Sequence, residues 1–477
     1  MSRSARGAAA AAAGLALAAL AVFLLAPTYP NYDAYYHLLW GRELLHGHLP
    51  SFDAYAAPTE HPLYVAIGAL ASLAGGAGDR VLVLWTLLAL GVVAWGLVRL
   101  SAATLRSAWP GVAAAAFLAA SFTVLLYALR AYVDVWFLAL AIWAGVLVAE
   151  RRTRPVAVMG LLVAAGLLRP EAWLLAAAYA AWSWREASRS ERAWLAAGVV
   201  AAPVIWMAVD LAVTGDALFS LAATRTLAIE PQRDTGLGAA RVALTTLFGG
   251  AARAPVAIAG LLGLALAWRR LGARPLVVPL AFLGAGLLAV AGLGVLDLSV
   301  LPRYLLLPAV ALSLFAGYAL LGFMDLAPGS PARRWWAGLA VIAVIAGAAG
   351  LIARGPAGKL PREVRLDRDA HAALVALLDA PPVAAARRCG PVTFPTFRLV
   401  PMARWHLDAG QRAVRARPAG PPLAGGVAVT VFGDVDGGLP YRRYALTGSA
   451  LPSDNTPPRG FASVGRTRFF EAFTRCR

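Results

Sequence analysis

The chain has few charged residues and almost no cysteine. Only 14% of its 477 residues are charged, whereas 60% are hydrophobic, and the mean hydropathy of +0.67 lies far from the value of a soluble domain. The two cysteines, Cys389 and Cys476, lack the close ligand spacing of a structural zinc site. These features exclude an ordinary soluble domain and predict no metal site.

Acidic residues are also scarce, since 25 Asp and Glu face 43 Lys and Arg, for a net charge of +18. A strongly basic protein often binds nucleic acid, but here much of the basic charge lies in short loops between apolar stretches. In such loops it sets membrane orientation and contacts anionic lipid head groups. We therefore predict no nucleic acid partner and take the lipid bilayer as the partner of this charge.

Long apolar stretches dominate the first 354 residues and predict an all-α polytopic membrane protein of about eleven transmembrane helices. The first stretch begins like a cleaved signal peptide, but its length can span a bilayer, and we interpret it as a retained span. The apolar segment 62–75 is shorter and predicts a re-entrant or interfacial helix. The predicted spans are 8–26, 80–99, 108–128, 132–149, 155–168, 171–184, 193–213, 250–268, 275–296, 303–323 and 335–353.

Arginine clusters predict the orientation of the spans. They lie in connections on one side, at 99–106, 151–154, 185–192, 269–270 and 333–334, and the positive-inside rule places that side in the cytoplasm. An odd number of spans with a cytoplasmic N-terminus puts the C-terminus outside. The polar residues suited to chemistry fall on the outer side, which predicts a multi-pass cell-membrane protein with an extracytoplasmic active site.

The composition changes at about Gly355, where prolines, glycines and arginines become frequent and no further span appears. We predict a transmembrane catalytic domain, 1–354, and a small mixed α/β extracytoplasmic C-terminal domain, 355–477. The β-rich run 426–432 is one expected strand. Both cysteines lie in this domain, and outside the cytoplasm they form either a disulfide or two unpaired thiols.

The first outer loop contains the strongest candidate for catalysis. Asp33 follows the first span by a few residues and opens an amphipathic helix. The apolar side of this helix is expected on the membrane surface and consists of Tyr36, Leu39, Trp40 and Leu44. Glu60 and His61 end the same loop. A carboxylate at the bilayer edge can act as a general base, and an Asp at this position can equally be a helix N-cap.

The first loop resembles that of the GT-C glycosyltransferases. The shared features are an Asp just after the first span, a Tyr three residues later, the Leu-Leu-x-Gly-x-x-Pro run 44–50, and His61-Pro62 opening the next apolar segment. The resemblance is greatest to the bacterial branch related to lipid A aminoarabinose transferase and protein O-mannosyltransferases. Family members often have a second acidic residue directly after the Asp, where this chain has Ala34, or a second proline after His-Pro, where it has Leu63. The resemblance therefore indicates no named subfamily. It implies that Asp33 is the catalytic base and that the donor is a polyprenyl-phosphate sugar.

A donor phosphate at the membrane edge needs a cation, and Arg303 opens a late span at that depth. An Arg-Tyr at the head of a late helix, here Arg303-Tyr304, also occurs in family members. The alternative is an arginine that snorkels to the interface. Snorkelling arginines are expected mainly on the cytoplasmic side, so we interpret Arg303 as a phosphate ligand.

Two further outer turns supply candidate substrate contacts. Arg169 could neutralise the leaving phosphate, while Glu171 orients Arg169 or a sugar hydroxyl; the alternative is a plain turn between helices with a local ion pair. Arg130 and Asp134 flank another outer turn, either as a structural pair or with Asp134 contacting the sugar. The long polar segment Thr214 to Arg241 is a lid, an acceptor-binding element or a connector.

These features predict an inverting glycosyltransferase that moves a sugar from a polyprenyl-phosphate donor to a glycolipid, envelope glycan or protein hydroxyl. No cofactor is expected, and a divalent cation could bind near Asp33 but is not expected because Ala34 follows it. The alternative is a polytopic transporter or flippase of envelope lipid or glycan precursors. Internal repeats and mid-membrane charges are typical of transporters, and neither is evident here.

Overall fold

The computed structural model describes residues 3–52, 57–150, 155–223, 235–249, 254–353, 359–420, 423–432, 443–445 and 452–476. Helices occupy most of the described chain, and the described part of each of the eleven predicted spans is mostly helical. The helices before the C-terminal region are α1 Arg3–Leu25, α2 Tyr32–Leu45, α3 Pro62–Ser72, α4 Gly78–Thr104, α5 Trp109–Ala119, α6 Phe122–Leu129, α7 Val133–Ala149, α8 Pro155–Gly166, α9 Glu171–Ser183, α10 Arg189–Thr214, α11 Gly236–Gly249, α12 Ala254–Leu271, α13 Val277–Val295, α14 Leu306–Leu321 and α15 Pro331–Ala353.

Within the described residues, five helical segments are long and apolar enough to cross a membrane. A sixth results if α5 and α6, which meet at a 72° bend, form one broken span. This bend divides the predicted span 108–128. The number and hydropathy of these helices make the chain an integral multi-pass membrane protein. The count of eleven and the orientation of the termini stay predictions.

Helix α14 lies at the centre of the helical region, and almost every residue from Leu306 to Tyr318 is buried. It packs against α12 and α5 through small residues. A Cβ atom added at Gly263 would lie only 1.8 Å from the carbonyl oxygen of Phe315, so only glycine allows the two backbones to approach this closely. Close packing of this kind fixes the N-terminal end of α14 and the turn that leads into it, which contains Arg303.

Helix α2 begins because the side chain of Asn31 caps it and accepts a hydrogen bond from the Ala34 backbone N–H. The N-cap interpretation of Asp33 is therefore wrong, and the Asp33 side chain is available for other contacts. The expected placement of the apolar side on the membrane surface is also wrong for three of its four residues, whereas the fourth, Leu44, is 43% exposed. Tyr36, Leu39 and Trp40 are fully buried, because α3 and the C-terminal region cover this side of the helix.

The C-terminal region contains the helices α16 Lys359–Asp379, α17 Pro381–Ala386 and α18 Val400–His406. Its strands are β1 Val392–Phe394, β2 Val414–Ala416, β3 Gly426–Val431, β4 Ala462–Arg466 and β5 Phe470–Arg475. They form one sheet in the order β2-β1-β3-β5-β4, in which β1 is parallel to β2 and β3 and the remaining pairs are antiparallel. The described strands of the sheet thus all lie in the predicted domain 355–477. The predicted boundary itself falls among residues 354–358, outside the described residues.

The structure pairs Cys389 with Cys476 in a disulfide that closes a loop across 87 positions. The bond joins the turn before β1 to the end of β5, so it links opposite ends of the chain segment that forms the sheet. The alternative of two unpaired thiols is wrong for this structure.

Removing this disulfide is expected to destabilise the C-terminal domain by about 2–4 kcal/mol, since the cross-link restricts the unfolded chain over a long loop. The check is denaturant unfolding of wild type and of the Cys389→Ser/Cys476→Ser double variant. Equal stability of the two proteins, or two titratable thiols in unreduced wild type, would contradict the prediction.

Candidate active site

The catalytic candidate Asp33 and the phosphate candidate Arg303 lie side by side. Asp33 is in the first turn of α2, and Arg303 is in the short 3-10 turn Pro302–Leu305 that leads into α14. The Nη1 atom of Arg303 lies 3.3 Å from Oδ2 of Asp33, and both side chains are about one-fifth exposed. An ion pair at the edge of the helical region, open to solvent, can exchange its partners when a charged ligand enters.

Arg169 is the centre of a buried cluster of charges. Its Nη1 lies 3.1 Å from Asp134 and its Nη2 donates to Glu171 at 2.8 Å, and all three side chains are at most 6% exposed. The guanidinium also lies 4.7 Å from the ring centroid of Tyr304, which follows Arg303. The predicted Arg169–Glu171 pair is thus present, with Asp134 as a second partner.

The predicted pairing of Arg130 with Asp134 is wrong. Arg130 ends α6, and the following residue, Ala131, has a positive φ of 52° that turns the chain sharply before α7. Arg130 therefore points to the C-terminal domain, where its Nε lies 3.1 Å from Asp367 of α16. Arg443 bonds the same carboxylate at 3.2 Å and Glu363 at 2.5 Å.

A buried histidine connects Asp33 to the second half of the first loop. Nδ1 of His37 lies 2.7 Å from the Asp33 carbonyl oxygen, and its Nε2 accepts the backbone N–H of His61 at 3.2 Å. A carbonyl only accepts and an N–H only donates, so His37 is neutral with its proton on Nδ1. Burial lowers the pKa of His37 to about 4 and that of His61 well below its usual range.

Glu60 is buried, and its Oε2 has no hydrogen-bond partner among the described residues. Burial, with a smaller contribution from the charge of Asp210, raises the pKa of Glu60 to about 8. Asp210 lies in α10 and accepts hydrogen bonds from the N–H and hydroxyl of Ser220. Glu60 is therefore a neutral carboxylic acid at pH 7.

The raised pKa of Glu60 predicts a pH-dependent stability. The folded protein holds this proton up to about pH 8, whereas the unfolded chain releases it near pH 4.5. The stabilisation is thus complete below about pH 4.5 and is lost as the pH rises through about 8. We expect the melting temperature of wild type to fall between pH 5 and 9 more steeply than that of Glu60→Gln. Parallel curves for the two proteins would contradict the assignment.

One cavity of about 870 Å³ brings most of the predicted residues together. It lies between the helical region and the C-terminal domain, and it continues as an apolar arm between α10 and α13. Glu60 and Asp134 are absent from its wall, being buried behind it. The predicted residues that line it are Asp33, His61, Arg130, Arg169, Glu171, Arg303 and Tyr304.

Sequence analysis missed the contribution of two regions to this cavity. The C-terminal domain supplies Glu363, Asp367, Arg398 and Arg443, and no spacing in the sequence relates them to the loops that contain Asp33, Arg169 and Arg303. Asp210 was recognisable, because an acidic residue within an apolar span is costly unless it is paired. The middle of the predicted lid segment, residues 224–234, lies outside the described residues.

The described residues contain no cluster of three or more His, Cys, Asp or Glu side chains placed to hold a metal ion. Next to the Asp33 carboxylate the structure has the guanidinium of Arg303. The expectation that no cofactor takes part stays a prediction.

No family model and no curated protein matches the chain. Among solved structures the chain is similar to the crystal structure of ArnT from Cupriavidus metallidurans in the apo state, at 16% identity and a TM-score of 0.48, with 98% of each chain covered. At this identity and score the likeness implies nothing about the donor or acceptor of this chain.

Proposed function

We propose that the chain is a membrane glycosyltransferase that moves a sugar from a polyprenyl-phosphate donor to an acceptor on the extracytoplasmic face. The contact between Asp33 and Arg303 supports this proposal most directly. The Asp33 carboxylate and the Arg303 guanidinium lie 3.3 Å apart at a cavity lined by both the helical region and the C-terminal domain, and in the proposal they serve as base and phosphate ligand. A reaction between a lipid-linked donor and a polar acceptor requires these two groups at such a boundary.

The proposed reaction is a single displacement with inversion at the anomeric carbon. A hydroxyl oxygen of the acceptor forms the new bond to that carbon while the bond to the phosphate oxygen breaks, and the proton goes to the Asp33 carboxylate. The departing polyprenyl phosphate carries the released negative charge and pairs with Arg303. Donor binding thus replaces the Asp33–Arg303 pair and frees the carboxylate to act as base.

Arg169 has a different role in this proposal. Its charge is already offset by Asp134 and Glu171, so it is poorly suited to accept a phosphate as a further partner. It lies instead against the ring of Tyr304 and holds the chain just before α14. We therefore propose Arg303 as the main phosphate ligand and Arg169 as a positioning residue.

The apolar arm of the cavity suits the polyprenyl chain. It is lined by Trp206 and Met207 of α10 and by Leu288 and Leu293 of α13. Met207 is 44% exposed and Leu288 is 64% exposed, so the arm opens onto the outer surface of the helical region. In a membrane that surface contacts lipid, and an isoprenoid chain can enter sideways with little desolvation cost.

Gly292 offers a direct test of this route. It lines the cavity, and a Cβ added there meets no atom within 4 Å, so a side chain would project into open space. Gly292→Leu is expected to raise the KM for a long-chain donor by about ten- to hundredfold, the equivalent of about 1–3 kcal/mol of steric overlap. The measurement is the donor dependence of sugar transfer.

Gly284 provides a matched control on the same helix. A Cβ there also meets nothing within 4 Å, but the residue does not line the cavity. Gly284→Leu should leave the KM within about twofold of wild type, below the effect expected for a single contact. Equal effects of the two variants would remove α13 from the donor route.

The proposed activity is tested by incubating the purified full-length protein with a panel of polyprenyl-phosphate sugars and following release of the lipid phosphate. Release with at least one donor, together with its loss in Asp33→Asn, is the expected result. A transporter or flippase would move lipid across vesicles without releasing phosphate, and it would not depend on the base. No release with any donor, beside measurable lipid movement, would replace the proposed function with that alternative.

A further inference from the structure

The wall that the C-terminal domain contributes to the cavity contains six titratable side chains, and ion pairs or a hydrogen bond join four of them: Glu363, Asp367, Arg443 and Tyr444. Arg443 bonds Glu363 and Asp367, and Asp367 also pairs with Arg130. His371 stacks on the ring of Tyr29 at 3.4 Å, and burial lowers its pKa to about 3, so it is neutral. The remaining side chain is Arg398, whose guanidinium lies 5.5 Å from the ring centroid of the adjacent Phe397.

Arg398 has no carboxylate within ion-pair distance among the described residues, and its buried Nε has no hydrogen-bond acceptor there. A guanidinium has five N–H donors, and leaving a buried one unbonded is costly. Its backbone is nevertheless firmly placed. The Arg398 N–H bonds the Thr396 hydroxyl, which in turn donates to the carbonyl oxygen of Tyr444. A fixed arginine with free donors facing a cavity is typical of an anion-binding site.

The position of Arg398 relates this site to the acceptor. The ring of its neighbour Phe397 lies 5.3 Å from that of Tyr32, the residue before Asp33. Asp33, Tyr132, Arg303 and Arg398 all line the same cavity. Arg398 is on the C-terminal wall, whereas the apolar arm for the donor lies between membrane helices.

We propose that Arg398 binds an anionic group of the acceptor, a carboxylate or a phosphate, and so selects acidic acceptors over neutral ones. The inference rests on the proposed function, in which Arg303 takes the donor phosphate and Asp33 takes the proton of the acceptor hydroxyl. An acceptor anchored at Arg398 presents that hydroxyl to Asp33 from the side opposite the donor. The anion is carried by the acceptor itself and is not consumed in the reaction.

The test measures binding by calorimetry to the full-length protein in lipid nanodiscs, with saturating farnesyl phosphate to fill the site at Arg303. Three probes are compared: phenyl β-glucoside, phenyl β-glucuronide and phenyl β-glucoside 6-phosphate. Wild type should bind at least one anionic probe about ten- to hundredfold more tightly than the neutral one, as a charge-assisted hydrogen bond implies. The stronger of the two anionic probes identifies the group as carboxylate or phosphate.

In Arg398→Gln the affinities for the anionic and neutral probes are expected to become equal, a ratio of about 1. Arg398→Lys is expected to restore part of the preference for the anionic probe. Arg412→Gln is the control, since Arg412 is an exposed arginine of the same domain that does not line the cavity. Wild type without anion preference, or a preference that survives in Arg398→Gln, would overturn the inference. A loss of farnesyl phosphate affinity in Arg398→Gln as large as that in Arg303→Gln would assign Arg398 to the donor site instead.

The binding test separates the two proposals because it needs no turnover. An Arg398-dependent anion preference without sugar transfer from any polyprenyl-phosphate donor would disprove the glycosyltransferase proposal and leave an anion site. Sugar transfer that proceeds with equal preference for neutral and acidic acceptors would disprove the Arg398 inference alone.

Discussion

Replacing Asp33 with asparagine is expected to slow sugar transfer by about 10²–10⁴-fold, the contribution of a positioned general base. Asparagine keeps the size of the side chain but cannot accept the proton of the acceptor hydroxyl. The fold should persist, because Asn31 and not Asp33 caps α2 and because the ion pair with Arg303 is partly exposed. The measurement is the initial rate of lipid-phosphate release beside the melting temperature.

Asp408→Asn is a suitable control for this variant. Asp408 also pairs with an arginine, Arg42, but it is 82% exposed and does not line the cavity. Its φ of 47° is one that asparagine tolerates, so the change should be silent in both rate and stability. A rate for Asp33→Asn that equals that of Asp408→Asn would exclude Asp33 as the base.

The association of Asp33 with Arg303 could be anticipated from the sequence although 270 positions separate them. Membrane crossings place chain segments on one of two faces, so two residues at span ends on the same face are restricted to a thin layer. Within that layer the family resemblance supplied the expected roles. The hydropathy pattern likewise located the helices, since it reports burial or lipid exposure along each of them.

Other parts of the site depend on side-chain direction, which the pattern does not report. Arg130 and Asp134 are four residues apart, the spacing of neighbours on one helix, but a helix break at Ala131 sends them to different partners. The partner of Arg130, Asp367, lies in another domain and at no characteristic spacing. The apolar residues of α2 likewise reflect burial under that domain, which periodicity alone does not distinguish from burial in lipid.

Replacing Arg169 with methionine is expected to destabilise the protein by about 3–5 kcal/mol, because it leaves two buried carboxylates without a counter-charge. Methionine fills a similar volume, so the loss reflects charge and not a cavity. Asp134 and Glu171 are at most 6% exposed, so water replaces the guanidinium only in small part. The measurement is the free energy of unfolding in a mixed-micelle denaturation series.

Arg99→Met is the matched control, since Arg99 also bonds a glutamate, Glu150, but is 35% exposed. Its replacement should lower the free energy of unfolding by at most about 1 kcal/mol. A second comparison isolates the electrostatic cause. In the background Asp134→Asn/Glu171→Gln the two charges are absent, and adding Arg169→Met should then cost much less than it does in wild type. Equal costs in both backgrounds would mean that Arg169 stabilises the fold through packing against Tyr304 and not by balancing the two carboxylates.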